Sequence, residues 1–180
     1  SDVCSSDLVG LGLLALGIGL GAKPLYADLY QRLLYRGAPE DDKGRFANVV
    51  ETRAGVIAVT NEGVIYGGGE YDGRVSVDFV NDTNGIFRPF ALSAFHPAPK
   101  RVLMIGLSVG AWGQVIANHP QVEQLVVIEI NPGYLELTRR YPNVASLMTN
   151  PKVTFVIDDG RRWLRNHQGE GFDMVVMNTT

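Results

Sequence analysis

From Lys100 onward, short apolar runs alternate with helical segments in the order strand, glycine turn, helix, strand, helix, strand, helix, strand, and no other feature of the chain constrains its fold as much. Runs this short, bounded by turn residues and separated by helix-length segments, call for a parallel sheet with helices packed on its faces, an α/β arrangement. Arg101 to Ile105 reads as a buried strand, Trp112 to Asn118 as a helix stopped before Pro120, and Gln124 to Ile130 as the second strand. Pro132 to Tyr141 is the second helix, with Pro132 in its first turn, where a missing N–H costs nothing. Val153 to Ile157, Gly160 to His167 and Phe172 to Met177 supply the third strand, a short helix and the fourth strand.

Upstream the pattern is different. β-type runs at Val49 to Thr52, Val56 to Thr60, Val64 to Tyr66 and Arg74 to Val80, separated by Gly- and Asn-containing turns, predict an antiparallel meander. The expected organisation is a small β domain over residues 45–96 and an α/β domain over residues 97–180. The glycines of Gly67 to Gly73 suit a phosphate cradle, but no helix follows to aim amides and a dipole at an anion, so the segment reads as a wide hairpin turn. Gly37 to Gly44 is polar and turn-rich and serves as the linker ahead of the β unit.

The two ends carry separate expectations. Asp2 to Leu8 matches the translation of GAC GTG TGC TCT TCC GAT CT, a common sequencing adaptor, so residues 1–8 are set aside. Leu8 to Ala22 is an uncharged, glycine-containing stretch of 15 residues. As a helix it is about 22 Å long, short of a hydrocarbon core of about 30 Å. It is expected to be the remnant of a transmembrane helix, followed by a juxtamembrane helix, over residues 9–36; a signal-peptide core or a buried glycine-rich helix are the other readings. Lys23, Arg32 and Arg36, opposed by Asp28 alone, place the following domain on the cytoplasmic side of the cell inner membrane. The chain stops directly after the apolar run Met174 to Met177, so the sheet is expected to continue past Thr180.

Composition excludes several functions. A formal net charge of −3 with scattered Lys and Arg gives no basic stripe for nucleic acid. Cys4 is the only cysteine and His96, His119 and His167 stand far apart, so neither a disulfide nor a metal site is expected.

Chemistry concentrates at the C-terminal ends of the parallel strands, where such sheets bind ligands. After the first strand, Gly106, Leu107, Ser108, Val109 and Gly110 lead into a helix, and small residues there let a nucleoside approach the backbone. Glu129, followed by Ile130, ends the second strand about 20 positions later, the spacing of an acid that accepts ribose hydroxyls. Asp158, Asp159 and Gly160 follow the third strand, where a carboxylate can take an exocyclic amine. The plainer readings are a solvated strand-end acid at Glu129 and an N-cap pair at Asp158 and Asp159. Gly106 to Gly110 also fits the G-x-S-x-G nucleophile elbow with Ser108 as nucleophile, although a β-meander precedes it and only His119 and His167 follow. A nicotinamide-dependent dehydrogenase would use the same loop and Glu129 but has no need of Asp158 to Gly160.

From Phe46 to Thr180 these residues resemble the spermidine synthase family of polyamine aminopropyltransferases, and the apolar N-terminal segment resembles its membrane-fused bacterial branch. The segments that carry the resemblance are Pro99 to Gly106, Val127 to Asn131, Ile157 to Gly160 and Phe172 to Val176. It implies a Rossmann-like fold of the class I S-adenosylmethionine-dependent methyltransferase type, preceded by a small antiparallel β domain. It also implies a transferase that keeps no permanent cofactor and uses decarboxylated S-adenosylmethionine or S-adenosylmethionine as co-substrate, with an amine acceptor and a homodimeric assembly as partners. Glu129 would hold the ribose and Asp159 the adenine, with Gly106 to Gly110 beside them. Four segments depart from the family pattern. Val109 stands where the family has an acid facing the aminopropyl end, Asn84-Gly85-Ile86 where it has Tyr-His-Glu, Phe46-Ala47 where it has Tyr-Gln, and Asn178 at the position of the catalytic base. A methyltransferase on the same scaffold and a non-catalytic, membrane-linked nucleoside-binding protein are the other functions this pattern admits.

Overall fold

The structure, a computed structural model, describes residues 9–20, 28–36 and 41–178. Two compact units divide the chain, Ser1–Arg45 and Phe46–Thr180. In the first, residues 9–20 form helix α1 and Leu29–Tyr35 helix α2. Leu11, Leu13, Leu14, Leu16 and Ile18 of α1 are exposed. Among the described residues no helix is long and apolar enough to cross a membrane, so the transmembrane expectation for Leu8 to Ala22 has no spanning helix behind it. The adaptor-like residues 1–8, the first half of the linker and Thr179-Thr180 lie outside the described residues.

The second unit opens with an antiparallel sheet of β1 (Phe46–Thr52), β2 (Gly55–Thr60), β3 (Val64–Gly67) and β4 (Glu70–Arg74), in that order. The last strand is not where the sequence put it. Gly68 and Gly69 both have positive φ, 60° and 91°, so they close a two-residue hairpin in which Gly67 pairs with Glu70. The strand therefore starts at Glu70, and the segment from Val75 to Val80 expected to be extended leaves the sheet. Asp78 ends any ladder there by accepting the amides of Val80 and Asn81 at 2.9 and 3.0 Å. Two short helices, α3 (Phe87–Phe90) and α4 (Leu92–Phe95), lead to the α/β region.

That region contains β5 (Arg101–Ile105), α5 (Ala111–Ala117), β6 (Gln124–Glu129), α6 (Gly133–Arg140), α7 (Pro142–Ala145), β7 (Val153–Ile157), α8 (Gly160–Asn166) and β8 (Met174–Met177). The strands are parallel in the order β7-β6-β5-β8, which puts the reversal of strand order between β5 and β8. β5 is buried on both faces, as a central parallel strand must be. Val102 and Met104 enter one core, with Leu107, Ile116 and Leu137, while Leu103 enters the other, with Ile128 and Trp163. The first core also contains Val50, Ile57, Val59 and Ile65 of the meander, so the boundary at residue 97 separates two sheets but not two cores.

α8 starts where it does because the Asp159 side chain accepts the amides of Arg161 and Arg162, both at 2.9 Å. It ends at His167, whose ring stacks on Trp163 at 4.2 Å between centroids. Burial of Trp163 against Leu103 and Ile128 ties this helix to the sheet and so fixes the loop that precedes it.

Candidate functional site

A cleft of about 550 Å³ opens over the C-terminal tips of the parallel strands. Gly106 leaves β5 with φ 87°, donating its amide to the Ile128 carbonyl at 2.9 Å, and so turns the loop across the sheet edge. The Leu107 amide then reaches Glu129 Oε2 at 2.7 Å, while the Asn131 amide reaches Oε1 at 2.7 Å. Glu129 is only 4% exposed, so the solvated strand-end reading does not hold. Burial pushes its carboxyl above the usual range, opposed by the two amides, and the nearby Asp72 raises it further. Each oxygen keeps a second lone pair for a ligand hydroxyl.

The structure brings Gly106, Ser108, Glu129, Ile130, Asp158, Asp159, Gly160 and Asn178 to this one cleft. Asp159 spends Oδ1 on the α8 amides, which hold its carboxyl below the usual range; capping and lining the cleft are thus compatible. Asp158 is held differently. Its Oδ1 accepts its neighbour's amide at 2.7 Å and pairs with the Arg162 guanidinium, so the two acids are not an equivalent capping pair. Gly160 permits close packing, since a Cβ there would stand 2.8 Å from Ile105 Cγ2. Asn178 is anchored through its backbone amide to the Ile105 carbonyl at 2.9 Å.

Gly110 does not belong to the cleft. With φ 85° it begins α5, and a Cβ there would meet Leu147 and Thr138 at 3.1 Å. Its small size serves helix packing, and the sequence could not separate that from ligand approach. Val109 is a core residue, 1% exposed, so the site has no side chain of that residue to offer.

Among the cleft residues that sequence reasoning missed, Asp72 and Tyr134 matter most for its chemistry. The Tyr134 hydroxyl donates to Asp72 Oδ2 at 2.5 Å, and Ser108 Oγ donates to the Asp72 carbonyl at 3.0 Å. Burial raises the Asp72 carboxyl above its usual range, with the Tyr134 and Ser108 hydroxyls working against that rise. Burial and Asp72 together push the Tyr134 phenol upward. The available signal was the pair of adjacent turn glycines, which start β4 early enough to carry an acid to the cleft.

Ser108 does have the strained backbone of a nucleophile elbow, φ 50°, but no histidine lines the cleft among the described residues. His119 bonds Ser93 at 2.8 Å and His167 bonds the Trp163 carbonyl at 2.8 Å. The serine therefore lacks the histidine partner that the elbow reading requires.

The family model for the spermine/spermidine synthase domain matches residues 91–180. A spermidine synthase from Dictyostelium discoideum is 37% identical over 86 residues, 47% of this chain and 30% of the relative. A polyamine aminopropyltransferase from Streptococcus pneumoniae serotype 4 is 34% identical over 104 residues, 57% of this chain and 35% of the relative. The chain thus spans about a third of the length of these relatives. Among solved structures, spermidine synthase in complex with the transition state analogue AdoDATO superposes with a TM-score of 0.61 at 20% identity, covering 75% of this chain and 48% of that one. Spermidine synthase from Thermotoga maritima gives the same TM-score of 0.61 and 20% identity, covering 47% of that chain. This likeness is one of fold.

Proposed function

This chain belongs to the spermine/spermidine synthase family, and on that premise we propose that it binds the adenosyl group of decarboxylated S-adenosylmethionine, or of S-adenosylmethionine, and transfers the aminopropyl or equivalent group to an amine acceptor. One observation carries the reading: the carboxylates of Glu129 and Asp159 line a single cleft beside Gly106. Glu129, already fixed by two backbone amides, accepts ribose hydroxyls with its remaining lone pairs. Asp159 takes the adenine amine with the oxygen not used in capping α8. Ile130, Leu164, Val175 and Met177 supply apolar walls for the purine.

In the transfer itself, a neutral amine nitrogen attacks the carbon beside the sulfonium. The C–S bond breaks with its electron pair going to sulfur, leaving a thioether nucleoside, and the amine loses one proton. Asn178 cannot accept that proton. Asp72 lines the same cleft, and its raised carboxyl is a better base than an ordinary aspartate. We assign it the role that the residue type at position 178 cannot fill. The inner-membrane, cytoplasm-facing location inferred from Lys23, Arg32 and Arg36 belongs to the same proposal.

Calorimetry of the intact protein with methylthioadenosine, decarboxylated S-adenosylmethionine and S-adenosylmethionine tests nucleoside binding, and product analysis with amine acceptors tests transfer. Methylthioadenosine as product supports aminopropyl transfer. Adenosylhomocysteine makes the protein a methyltransferase, and binding without turnover makes it a nucleoside sensor. Failure to bind any of the three nucleosides sinks the reading.

A further inference from the structure

A second cavity, of about 310 Å³, adjoins the nucleoside cleft and shares Asp72, Met177 and Asn178 with it. These shared residues let an amine held in the second cavity face a nucleoside in the first, so the inference rests on the transferase reading above. The charged groups lining it are one carboxylate, Asp72, and one guanidinium, Arg88.

The position of Arg88 follows from its neighbours. Gly85 has φ 63°, and a Cβ there would stand 3.6 Å from Arg88 Cζ and from the Trp112 ring, so the glycine leaves the space both side chains use. The Trp112 indole N–H donates to the Asn84 carbonyl at 3.0 Å, which fixes the ring. Arg88 Cζ lies 5.8 Å from that ring centroid and 5.7 Å from that of Phe87. Among the described residues no carboxylate pairs with Arg88. Ile86, by contrast, is fully buried and adds nothing polar.

A pocket built for a polycation is lined with acids. This one sets a guanidinium, planar and permanently charged, against a single acid. We infer that the cavity receives an acceptor bearing a carboxylate as well as an amine, its amine toward Asp72 and its carboxylate on Arg88, and that it discriminates against plain polyamines.

L-ornithine and putrescine differ by one carboxylate and are the natural probes. With the intact protein saturated by methylthioadenosine, titration should show ornithine binding more tightly than putrescine by about tenfold, the scale of one charge-assisted hydrogen bond. Arg88→Gln should bring the two affinities within about twofold, and Arg88→Lys should keep part of the preference. Equal or tighter binding of putrescine by the wild type overturns the inference, as does a preference that survives Arg88→Gln. Methylthioadenosine binding in the same titration separates the two levels. If it binds and ornithine is not preferred, this inference fails alone; if it does not bind, the transferase reading fails as well.

Discussion

The Tyr134 hydroxyl donates to the Asp72 carboxylate at 2.5 Å, joining the last strand of the meander to the first turn of α6 at the wall of the cleft. The bond does two jobs: it stabilises a charge that burial opposes, and it fixes the carboxylate that we assign as base. Tyr134→Phe should therefore cost about 1–3 kcal/mol, the loss expected when a buried charged acceptor loses its donor. Urea unfolding of the variant against wild type measures it, and a change below about 0.5 kcal/mol would show the pair to be energetically idle.

Asp72 also predicts a pH dependence. Burial raises its folded-state pKa above the roughly 3.9 of an unfolded aspartate, so the group favours the fold most when protonated. That contribution is complete below about pH 4 and is lost as the pH rises through the folded value. Asp72→Asn stays neutral throughout. The variant should gain stability relative to wild type at pH 7, and the gain should vanish toward pH 4. Taking the difference between the two proteins removes the opposite contributions of Asp78, Asp82, Asp159 and Asp173, whose carboxyls are lowered. A gain that grows toward acid would reverse the assigned sign.

Glu129→Ala removes the acceptor of two backbone amides in the glycine loop and at the end of β6. The expected loss of folding stability is about 3–6 kcal/mol for the two bonds to a charged group. Nucleoside affinity should fall by about 1.5–3 kcal/mol in calorimetry of the folded variant. Unchanged affinity would remove Glu129 from the ribose site.

Gly110→Ala distinguishes scaffold from ligand contact within one loop. A Cβ at φ 85°, meeting Leu147 and Thr138 at 3.1 Å, should destabilise the protein by about 1–3 kcal/mol. Methylthioadenosine affinity of the folded fraction should change by less than about twofold. A large loss of affinity with little loss of stability would return Gly110 to the binding site.

Asn178→Asp installs a proton acceptor at the tip of β8, beside Asp72 and on the border of both cavities. Because Asp72 is assigned that role already, turnover with an amine acceptor should stay within about threefold of wild type. A rise of about 10²-fold or more, the usual contribution of a positioned general base, would take the role of base away from Asp72.

The parallel strands were legible in the sequence because their signal is local. Arg101 to Ile105 and Val153 to Ile157 are observed with the expected bounds, since an apolar run closed by a glycine loop or an Asp-Gly pair leaves little freedom over where a strand stops. The fourth meander strand was less legible. Arg74 to Val80 alternates like a strand, but register is decided upstream, by two glycines that can both adopt positive φ and so bring the chain back after two residues.

The sequence by itself determined the α/β order, the glycine loop and the carboxylates that end two of the strands, because backbone geometry and side-chain periodicity act over a few residues. Only the tertiary structure decided that Asp72 and Tyr134 meet, across 62 positions of chain, that Val109 and Gly110 turn into the core, and that Arg88 faces the second cavity. Those outcomes depend on two sheets sharing one core, and the direction in which a side chain points there is fixed by packing against residues remote in sequence.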